Sequence, residues 1–320
     1  MIRKALSYHC IYRCINVAKV IFSYAASALC HKYIGIGTPF TASIEPANYC
    51  NLRCRQCPTG LGMTDRQKAK MTIEDFKKTL DAMLPDVMYV NLYFQGEPLL
   101  NTDVPEMVAY ATKHGVSTCI STNGHFLSQN MSERLKQAGL DRLIISLDGA
   151  DSESYSLYRT GGNFDTVIQG VKNAVGAGLN VELQCLLLSS TENRKNEILE
   201  IGRKLGADRI TFKTAQFYSQ DALMPANEHH SRYKKGTLEL KRGLRNRCWR
   251  IISSIVINTE GEVIPCCYDK KGLHSYGNLL KAGGTKKALC DILNSQRAID
   301  FKNRVFSNRK CIQICTNCTE

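Results

Sequence analysis

Three cysteines stand close together in residues 44–60, which read IEPANYCNLRCRQCPTG. They are Cys50, Cys54 and Cys57, spaced CxxxCxxC, and no fourth cysteine is near them in the sequence. A structural zinc site closes its coordination shell with four protein ligands. Three thiolates on one loop suit a [4Fe–4S] cluster in which one iron has no protein ligand. The spacing therefore predicts a cluster with an open iron, with a zinc staple as the alternative.

Six strand-like segments alternate with helical patterns from residue 40 onward. These segments are residues 40–46, 87–94, 116–122, 142–148, 180–188 and 209–213. They are strongly apolar, which is typical of strands that are buried on both faces of a sheet. The alternation predicts repeated βα units and a parallel sheet. Thr72 is expected to cap the helix at residues 73–84.

Polar side chains mark the turns in which the first four strands end. Besides the three cysteines, these turns contain Gln95, Gly96, Glu97, Asn123, Ser146 and Asp148. In parallel α/β folds the functional site is built from loops at the carboxyl ends of the strands. We therefore expect these residues and the cysteines to share one face of the sheet.

Together these motifs resemble the radical S-adenosylmethionine (SAM) superfamily, whose members hold a [4Fe–4S] cluster through CxxxCxxC and bind SAM at its open iron. Further similarities are the turn FQGEPLL, with Gln95 in place of a glycine, STNG at 121–124, SLDG at 146–149 and YRTGGNFDTVIQG from residue 158. The resemblance implies an α/β fold, a (β/α)6 partial TIM-like barrel. It also implies that the backbone around Gly96 receives the SAM amino group, that Ser146 contacts the ribose and that Arg159 pairs with the carboxylate. The implied SAM-site residues are Gln95, Gly96, Glu97, Asn123, Ser146, Asp148 and Arg159.

The C-terminal cysteines resemble the SPASM and twitch modules that hold auxiliary iron–sulfur clusters in this superfamily. The spacing C-x12-G-x4-C joins Cys248 to Cys266, and the chain closes with a CxxC pair. The resemblance implies one auxiliary [4Fe–4S] cluster. Its implied ligands are Cys248, Cys266, Cys315 and Cys318. Cys267 and Cys311 are adjacent alternatives, and a zinc site on the same four cysteines is the competing hypothesis.

Four regions follow from these assignments. They are a basic amphipathic N-terminal helix region at 1–39, the barrel at 40–213, a basic connecting segment at 214–247 and a cysteine-rich α+β cluster domain at 248–320. Within the last region we expect a hairpin that turns at residues 259–261 and a helix near residues 285–306.

The resemblance implies an enzyme that reductively cleaves SAM to a 5′-deoxyadenosyl radical, which abstracts hydrogen from a substrate. The expected outcome is oxidation or modification of a peptide or protein, or of a sugar-type alcohol such as a glycan intermediate. A flavodoxin or ferredoxin is the expected reductant. The alternative is a non-catalytic iron–sulfur or zinc-binding interaction module, which accounts for the cysteines but not for the polar residues at the strand ends.

The net charge of +13 is unevenly distributed. Residues 1–44 contain basic residues and no acidic residue, and a second basic stretch covers 232–250. Solvated faces, an anionic membrane surface or an acidic substrate all fit this pattern. Aromatic residues are weakly interleaved with the basic ones, so no nucleic-acid partner is expected.

The N-terminal apolar stretch is interrupted by Arg13 and Lys19, which argues against a signal peptide. Its helical spacing predicts an amphipathic helix that either packs on the domain or rests peripherally on a membrane surface. Thiolates used as metal ligands are typical of a reducing compartment. The expected location is cytoplasmic, with membrane association on the cytoplasmic face as the alternative.

Overall fold

The computed structural model describes residues 8–319, with side chains from residue 11 onward. Residues 1–7, which include Arg3 and Lys4 of the predicted N-terminal helix region, and Glu320 lie outside the described residues. Between residues 8 and 319 the strands are β1 (Thr41–Ile44), β2 (Tyr89–Asn91), β3 (Ser117–Thr122), β4 (Arg142–Ser146), β5 (Val181–Leu187), β6 (Arg209–Thr214), β7 (Ser254–Ile257), β8 (Glu262–Ile264) and β9 (Gly277–Asn278).

These strands form one sheet in the order β6-β5-β4-β3-β2-β1-β7-β8-β9. The first six pair in parallel, which confirms the six predicted strands and the (β/α)6 partial barrel. β7 also pairs in parallel with β1, and β8 pairs in antiparallel orientation with both β7 and β9. The predicted C-terminal hairpin is thus confirmed, and it continues the barrel sheet. The division of the chain at residue 248 stays a prediction.

The helices of the described residues are α1 (Tyr8–Cys30), α2 (Ile73–Met83), α3 (Val104–Lys113), α4 (Gln129–Ala138), α5 (Ser152–Tyr158), α6 (Phe164–Gly176), α7 (Lys195–Leu205), α8 (Arg250–Ser253), α9 (Lys286–Leu293) and α10 (Gln296–Asn308). The Thr72 side chain accepts a hydrogen bond from Asp75 N, as the cap prediction requires. The single helix predicted near 285–306 is wrong. The Ser295 side chain accepts a hydrogen bond from Ala298 N and starts a second helix, α10.

The main core lies between the sheet and the surrounding helices. Its β3 and β4 members include Ile120, Leu143 and Ile145, which are fully buried. A second, smaller apolar cluster joins the cysteine loop to the connecting segment through Leu52, Phe217 and other buried side chains. The basic connecting segment is therefore packed on the barrel, although most of it is irregular in structure.

Helix α1 crosses the amino ends of the first three strands. The Arg13 side chain donates hydrogen bonds to Pro85 O and Gly115 O, both at 2.9 Å, in the loops that lead into β2 and β3. Asn16 bonds to the backbone of Thr38, just before β1. The prediction that this helix packs on the domain is confirmed. Within residues 8–319, no helix combines the length and apolar character that crossing a bilayer requires.

Candidate cluster and SAM site

The cysteine loop begins at the carboxyl end of β1. Cys54 is buried, and Cys50 and Cys57 are partly buried. Burial raises the pKa of the Cys50 thiol to about 11, and the neighbouring charges of Glu97, Cys54 and Cys57 also raise it. The three sulfurs are therefore close enough to interact. Burial raises the pKa of the Cys54 thiol as well, so binding iron must displace protons from Cys50 and Cys54.

Several N–H groups point at the cysteine sulfurs. Leu52 N lies 3.4 Å from Cys50 Sγ, and Asn123 Nδ2 lies 3.7 Å from the same sulfur. Arg159 Nη1 lies 3.8 Å from Cys54 Sγ. Donors and a cation around thiolates stabilise their negative charge and tune the potential of a cluster that they hold.

The turn after β2 is pressed against the chain that leads into the cysteine loop. Gly96 has φ +69°, and a Cβ added there would lie 2.5 Å from Ala47 O. The Glu97 backbone N–H donates to Tyr49 O at 2.9 Å. Only glycine fits this cradle, because it tolerates both the positive φ and the close approach.

The Glu97 carboxylate is buried and already bonded to the protein. It accepts hydrogen bonds from Leu99 N, Thr122 Oγ1 and Asn123 N at 3.0, 2.6 and 2.8 Å. Burial raises its pKa, and these three bonds oppose that rise. Glu97 therefore ties the turn after β2 to the end of β3, and a direct contact with SAM stays a prediction.

Gln95 and Asn123 both clamp the cysteine loop from the barrel side. Gln95 Oε1 accepts a 2.9 Å hydrogen bond from the Thr59 hydroxyl. Asn123 Nδ2 donates to Asn51 Oδ1 at 2.8 Å. The loops after β2 and β3 thus hold the cysteine loop at two points, in agreement with their expected place on one face.

Asp148 and Arg159 form a buried ion pair behind Cys54. Arg159 Nε lies 2.6 Å from Asp148 Oδ2, and the other carboxylate oxygen accepts a 2.6 Å bond from Leu186 N. This arrangement fixes the guanidinium next to the Cys54 sulfur. The predicted pairing of Arg159 with the SAM carboxylate stays a prediction.

Ser146 is the last residue of β4 and lies directly beside Gln184 of β5 in the parallel register. Gln184 was not singled out from the sequence. Its Nε2 is buried and has no hydrogen-bond partner among the described residues. A buried amide donor without a partner is costly unless a ligand satisfies it. The only sequence signal for Gln184 is a polar residue within the apolar run of β5.

A second set of residues that the sequence analysis missed lies at the end of β1. Glu45 is fully buried and bonded through both oxygens to Arg66, with Arg66 Nη1 at 3.1 Å from Glu45 Oε1. Thr259 N in the C-terminal hairpin donates to Glu45 at 3.1 Å, and Arg66 also contacts Glu260. The network therefore fastens the cysteine-loop end of β1 to the β7–β8 turn.

Three of the C-terminal cysteines, Cys248, Cys315 and Cys318, surround a buried arginine. Arg309 Nη2 lies 3.3 Å from Cys318 Sγ, and its Nη1 donates to Arg247 O at 2.6 Å. Burial alone would lower the pKa of Arg309, but the Cys248, Cys315 and Cys318 sulfurs around it raise that pKa. Burial raises the pKa of Cys266, and its neighbours Cys267, Cys248 and Cys315 raise it further. The structure thus brings together the four predicted auxiliary ligands.

The two alternative ligands differ in their surroundings: Cys267 is the immediate neighbour of Cys266, whereas Cys311 is open to solvent. Cys267 Sγ accepts a hydrogen bond from Arg250 Nη1 at 3.0 Å. Cys311 is exposed. Neither position decides the ligand set, which stays a prediction.

The connecting segment covers the outer side of the cysteine loop. Gln56 Oε1 accepts a 2.9 Å bond from Tyr218 N, and Gln56 Nε2 donates to Asp221 at 3.0 Å. Arg55 forms an ion pair with the same aspartate at 3.3 Å. This cover limits the access of water to the loop.

The residues present fit the implied groups. The loop offers three neighbouring thiols with N–H donors, and the buried Gln184 amide offers a donor without a partner beside Ser146. Across residues 8–319, no three His, Cys, Asp or Glu side chains converge tightly enough to hold a single metal ion.

Two known protein families match this chain over most of its length. A model of the radical SAM superfamily matches residues 44–214, which is more than half of the chain. A model of SPASM, an iron–sulfur cluster-binding domain, matches residues 248–319.

Among curated proteins, the chain is 31% identical over 169 residues to a probable GTP 3′,8-cyclase of Methanococcus maripaludis, covering 52% of this chain and 56% of the relative. It is 30% identical over 180 residues to mycofactocin maturase MftC of Mycolicibacterium smegmatis, covering 55% of this chain and 45% of the relative. The chain spans about half the length of the curated relatives it matches.

Solved structures share the fold at low sequence identity. Streptococcus suis SuiB bound to S-adenosylmethionine matches with a TM-score of 0.64 and 16% identity, over 87% of this chain and 71% of SuiB. A histidine-tagged form of anSMEcpe with bound AdoMet matches with a TM-score of 0.65 and 17% identity, over 87% and 84% of the two chains. The chain therefore belongs to the radical SAM superfamily and carries a SPASM domain, a combination whose cofactors are SAM, a [4Fe–4S] cluster and an auxiliary iron–sulfur cluster.

Proposed function

We propose that this protein is a radical SAM enzyme that oxidises or otherwise modifies a peptide or protein. The carrying observation is the cysteine loop, held at the carboxyl end of β1 by Gly96, Gln95 and Asn123. When bound, the [4Fe–4S] cluster supplies an electron for the reductive cleavage of SAM and thereby the power to abstract hydrogen from an unactivated carbon.

In this proposal the chain's own residues bind the cluster, orient SAM and shield both from water. Cys50, Cys54 and Cys57 hold the cluster, and the Asn123 and Arg159 N–H groups stabilise two of the three thiolates. Ser146 and the Gln184 amide contact the ribose of SAM. Gln184 Nε2 is suited to this role because it is buried without a partner among the described residues. The backbone around Gly96 accepts hydrogen bonds from the SAM amino group, and the connecting segment excludes water from the site.

Four thiolates, three of them around Arg309, would complete the coordination of one auxiliary cluster. The proposed ligands are Cys248, Cys266, Cys315 and Cys318, in a C-terminal domain that begins at residue 248. With no open iron, such a cluster suits electron transfer from the substrate rather than substrate binding. A flavodoxin or ferredoxin is the proposed reductant.

The substrate class is supported by the names of relatives. Two of them are mycofactocin maturase MftC and the PqqA peptide cyclase of Streptomyces rochei, which is 26% identical over 196 residues. A peptide or protein is therefore the first candidate and a sugar-type alcohol is the second. Candidate substrates drawn from neighbouring genes are added to the reduced enzyme. A change in the mass of a peptide, together with faster formation of 5′-deoxyadenosine, supports the first candidate. If a sugar-type alcohol changes mass and accelerates 5′-deoxyadenosine formation instead, the second candidate replaces the first.

The catalytic proposal is tested by anaerobic reconstitution with iron and sulfide, followed by dithionite and SAM. Wild-type protein is expected to release methionine and 5′-deoxyadenosine and to hold about eight iron atoms per chain, as two cubane clusters require. The Cys50→Ala/Cys54→Ala/Cys57→Ala variant is expected to hold about four iron atoms and to lose SAM cleavage. Cleavage that persists in this variant overturns the site, and clusters without any cleavage in the wild type favour a non-catalytic module.

A further inference from the structure

The inner face of α1 combines polar residues with the fully buried Val20, and several large apolar residues of the helix face solvent. Asn16, Ser23 and Ser27 are buried. The Ser23 and Ser27 hydroxyls accept hydrogen bonds from Ile36 N at 3.0 Å and Ile34 N at 2.8 Å. These bonds fix the rotation of the helix, because turning it would leave the backbone N–H groups of the segment after α1 without their acceptors.

The opposite side of α1 forms a continuous apolar face. Ile11, Ile15, Phe22 and Leu29 are 55%, 51%, 59% and 82% exposed. With Ala18 and Ala25 they repeat at alternating spacings of four and three residues, so they form one stripe along the helix. Exposed Ile21 widens the stripe on one side. Single exposed apolar residues need no explanation, but a contiguous apolar face of this length marks an interaction surface.

The charge around this face is positive. Lys19 is exposed on α1, and residues 1–44 contain no acidic residue. Arg242 and Arg245 are exposed and line a cavity of about 640 Å³ together with Tyr24, which lies on the flank of α1 and not on the apolar stripe. Trp249 packs edge-on against Tyr24 with ring centroids 5.3 Å apart and is 38% exposed. Aromatic and basic residues beside an apolar helix face are typical of interfacial membrane helices.

We propose that the outer face of α1 docks on an anionic phospholipid membrane, with Ile11, Ile15, Phe22 and Leu29 inserted below the headgroups. Lys19 then extends its ammonium to the phosphates while its stem stays in the apolar layer. Arg242 and Arg245 add attraction to the anionic surface. The inference is independent of the catalytic proposal.

A second copy of the chain is the competing occupant, because the spacing of the stripe would also suit a helix pair. Helix pairs are usually matched by opposite charges beside the apolar seam. The corresponding positions of α1 include Tyr12, Lys19 and Ile21, with no acidic residue to meet the lysine of a partner. The charge pattern therefore favours a lipid surface.

The test is flotation of the full-length protein with vesicles of phosphatidylcholine mixed with phosphatidylglycerol, compared with vesicles of phosphatidylcholine alone. Phe22→Ser/Leu29→Ser is expected to lower partitioning on the mixed vesicles by at least about tenfold, because two large side chains no longer leave water. The matched control is Leu157→Ser/Leu273→Ser, which removes two leucines that are also exposed, at 47% and 60%. The control is expected to float like wild type.

A second pair of substitutions tests how much the basic residues contribute to membrane binding. Arg242→Gln/Arg245→Gln is expected to weaken flotation on the mixed vesicles on the order of tenfold, with a smaller difference at high salt. Circular dichroism and iron content must match wild type in every variant. Equal flotation of wild type and Phe22→Ser/Leu29→Ser overturns the proposal. A wild type that does not float but dimerises in sedimentation, with the dimer lost in that variant, assigns the face to a second copy.

Discussion

At the scale of single residues, Gly96 decides how closely the turn after β2 approaches the cysteine loop. We expect Gly96→Ala to impair both cluster assembly and SAM binding. The substitution forces a side chain into the left-handed region, at about 1–2 kcal/mol, and drives its Cβ into Ala47 O and the Tyr49 backbone. The measurement is iron content and the electron paramagnetic resonance signal after reconstitution.

Gly62, which follows Cys57 in the cysteine loop, supplies a matched control. It has φ +66°, and a Cβ added there would have nothing within 4 Å. Gly62→Ala therefore carries the same conformational cost without the clash, and it should assemble its cluster nearly as well as wild type. Equal defects in the two variants would mean that the close contact at Gly96 is unimportant.

At the scale of elements, the Glu45–Arg66 pair joins the end of β1 to the β7–β8 hairpin. We expect Arg66→Met to lower the free energy of unfolding by about 3 to 5 kcal/mol at neutral pH, because it leaves the buried Glu45 charge without its main partner. Burial already raises the pKa of Glu45, and Arg66 opposes that rise. In Arg66→Met the pKa of Glu45 rises further, so Glu45 binds a proton more readily in the native state than in the unfolded chain.

The sign of the pH dependence follows from that shift. The penalty in Arg66→Met is full above the folded pKa of Glu45 and shrinks as the pH falls toward the unfolded value of about 4.3. Urea denaturation of the variant and wild type across this range measures it. Glu45→Gln/Arg66→Met should be more stable than Arg66→Met alone at neutral pH. A double variant that is no better would show that the buried charge is not the cause.

The elements also show what the sequence could and could not predict. The six strands and the Thr72 cap follow from local patterns, and so does the position of the cysteines at a strand end. Glu45 and Arg66 meet Thr259 across about two hundred residues, and no local pattern encodes that contact. The sequence also does not predict which side of α1 faces the protein, because a stripe of apolar residues ordinarily faces the core. Hydrogen bonds to the segment at 34–38 override that tendency.

At the scale of the whole molecule, Lys302 of α10 fastens the N-terminal segment to the C-terminal helices. It is 4% exposed, and its ammonium lies 2.9 Å from Leu293 O and 4.5 Å from the centre of the Tyr33 ring. A second ring, that of Tyr276, lies 5.5 Å from it. Burial lowers the pKa of Lys302 to about 8.

This lysine is expected to make the molecule more stable as the pH rises. Between about pH 8 and its unfolded pKa of about 10.4, the unfolded chain holds a proton on Lys302 that the native state has released. Stability therefore increases through this window, by on the order of 3 kcal/mol in full. The Lys302→Met variant should lack that increase. Denaturation of both proteins at about pH 7 and about pH 10 measures the difference, and parallel profiles would refute it.

The placement of α1 at the amino ends of the strands sets a distance requirement on the substrate. The cysteine loop leaves β1 at its other end, so a molecule docked through α1 holds its reaction site on the far side from the bilayer. A compact chain of this length is about 50 Å across. A peptide anchored in the same bilayer would need about fifteen extended residues between its anchor and the reacting atom. Shorter tethers would be excluded, so the docked protein would select its targets by reach as well as by chemistry.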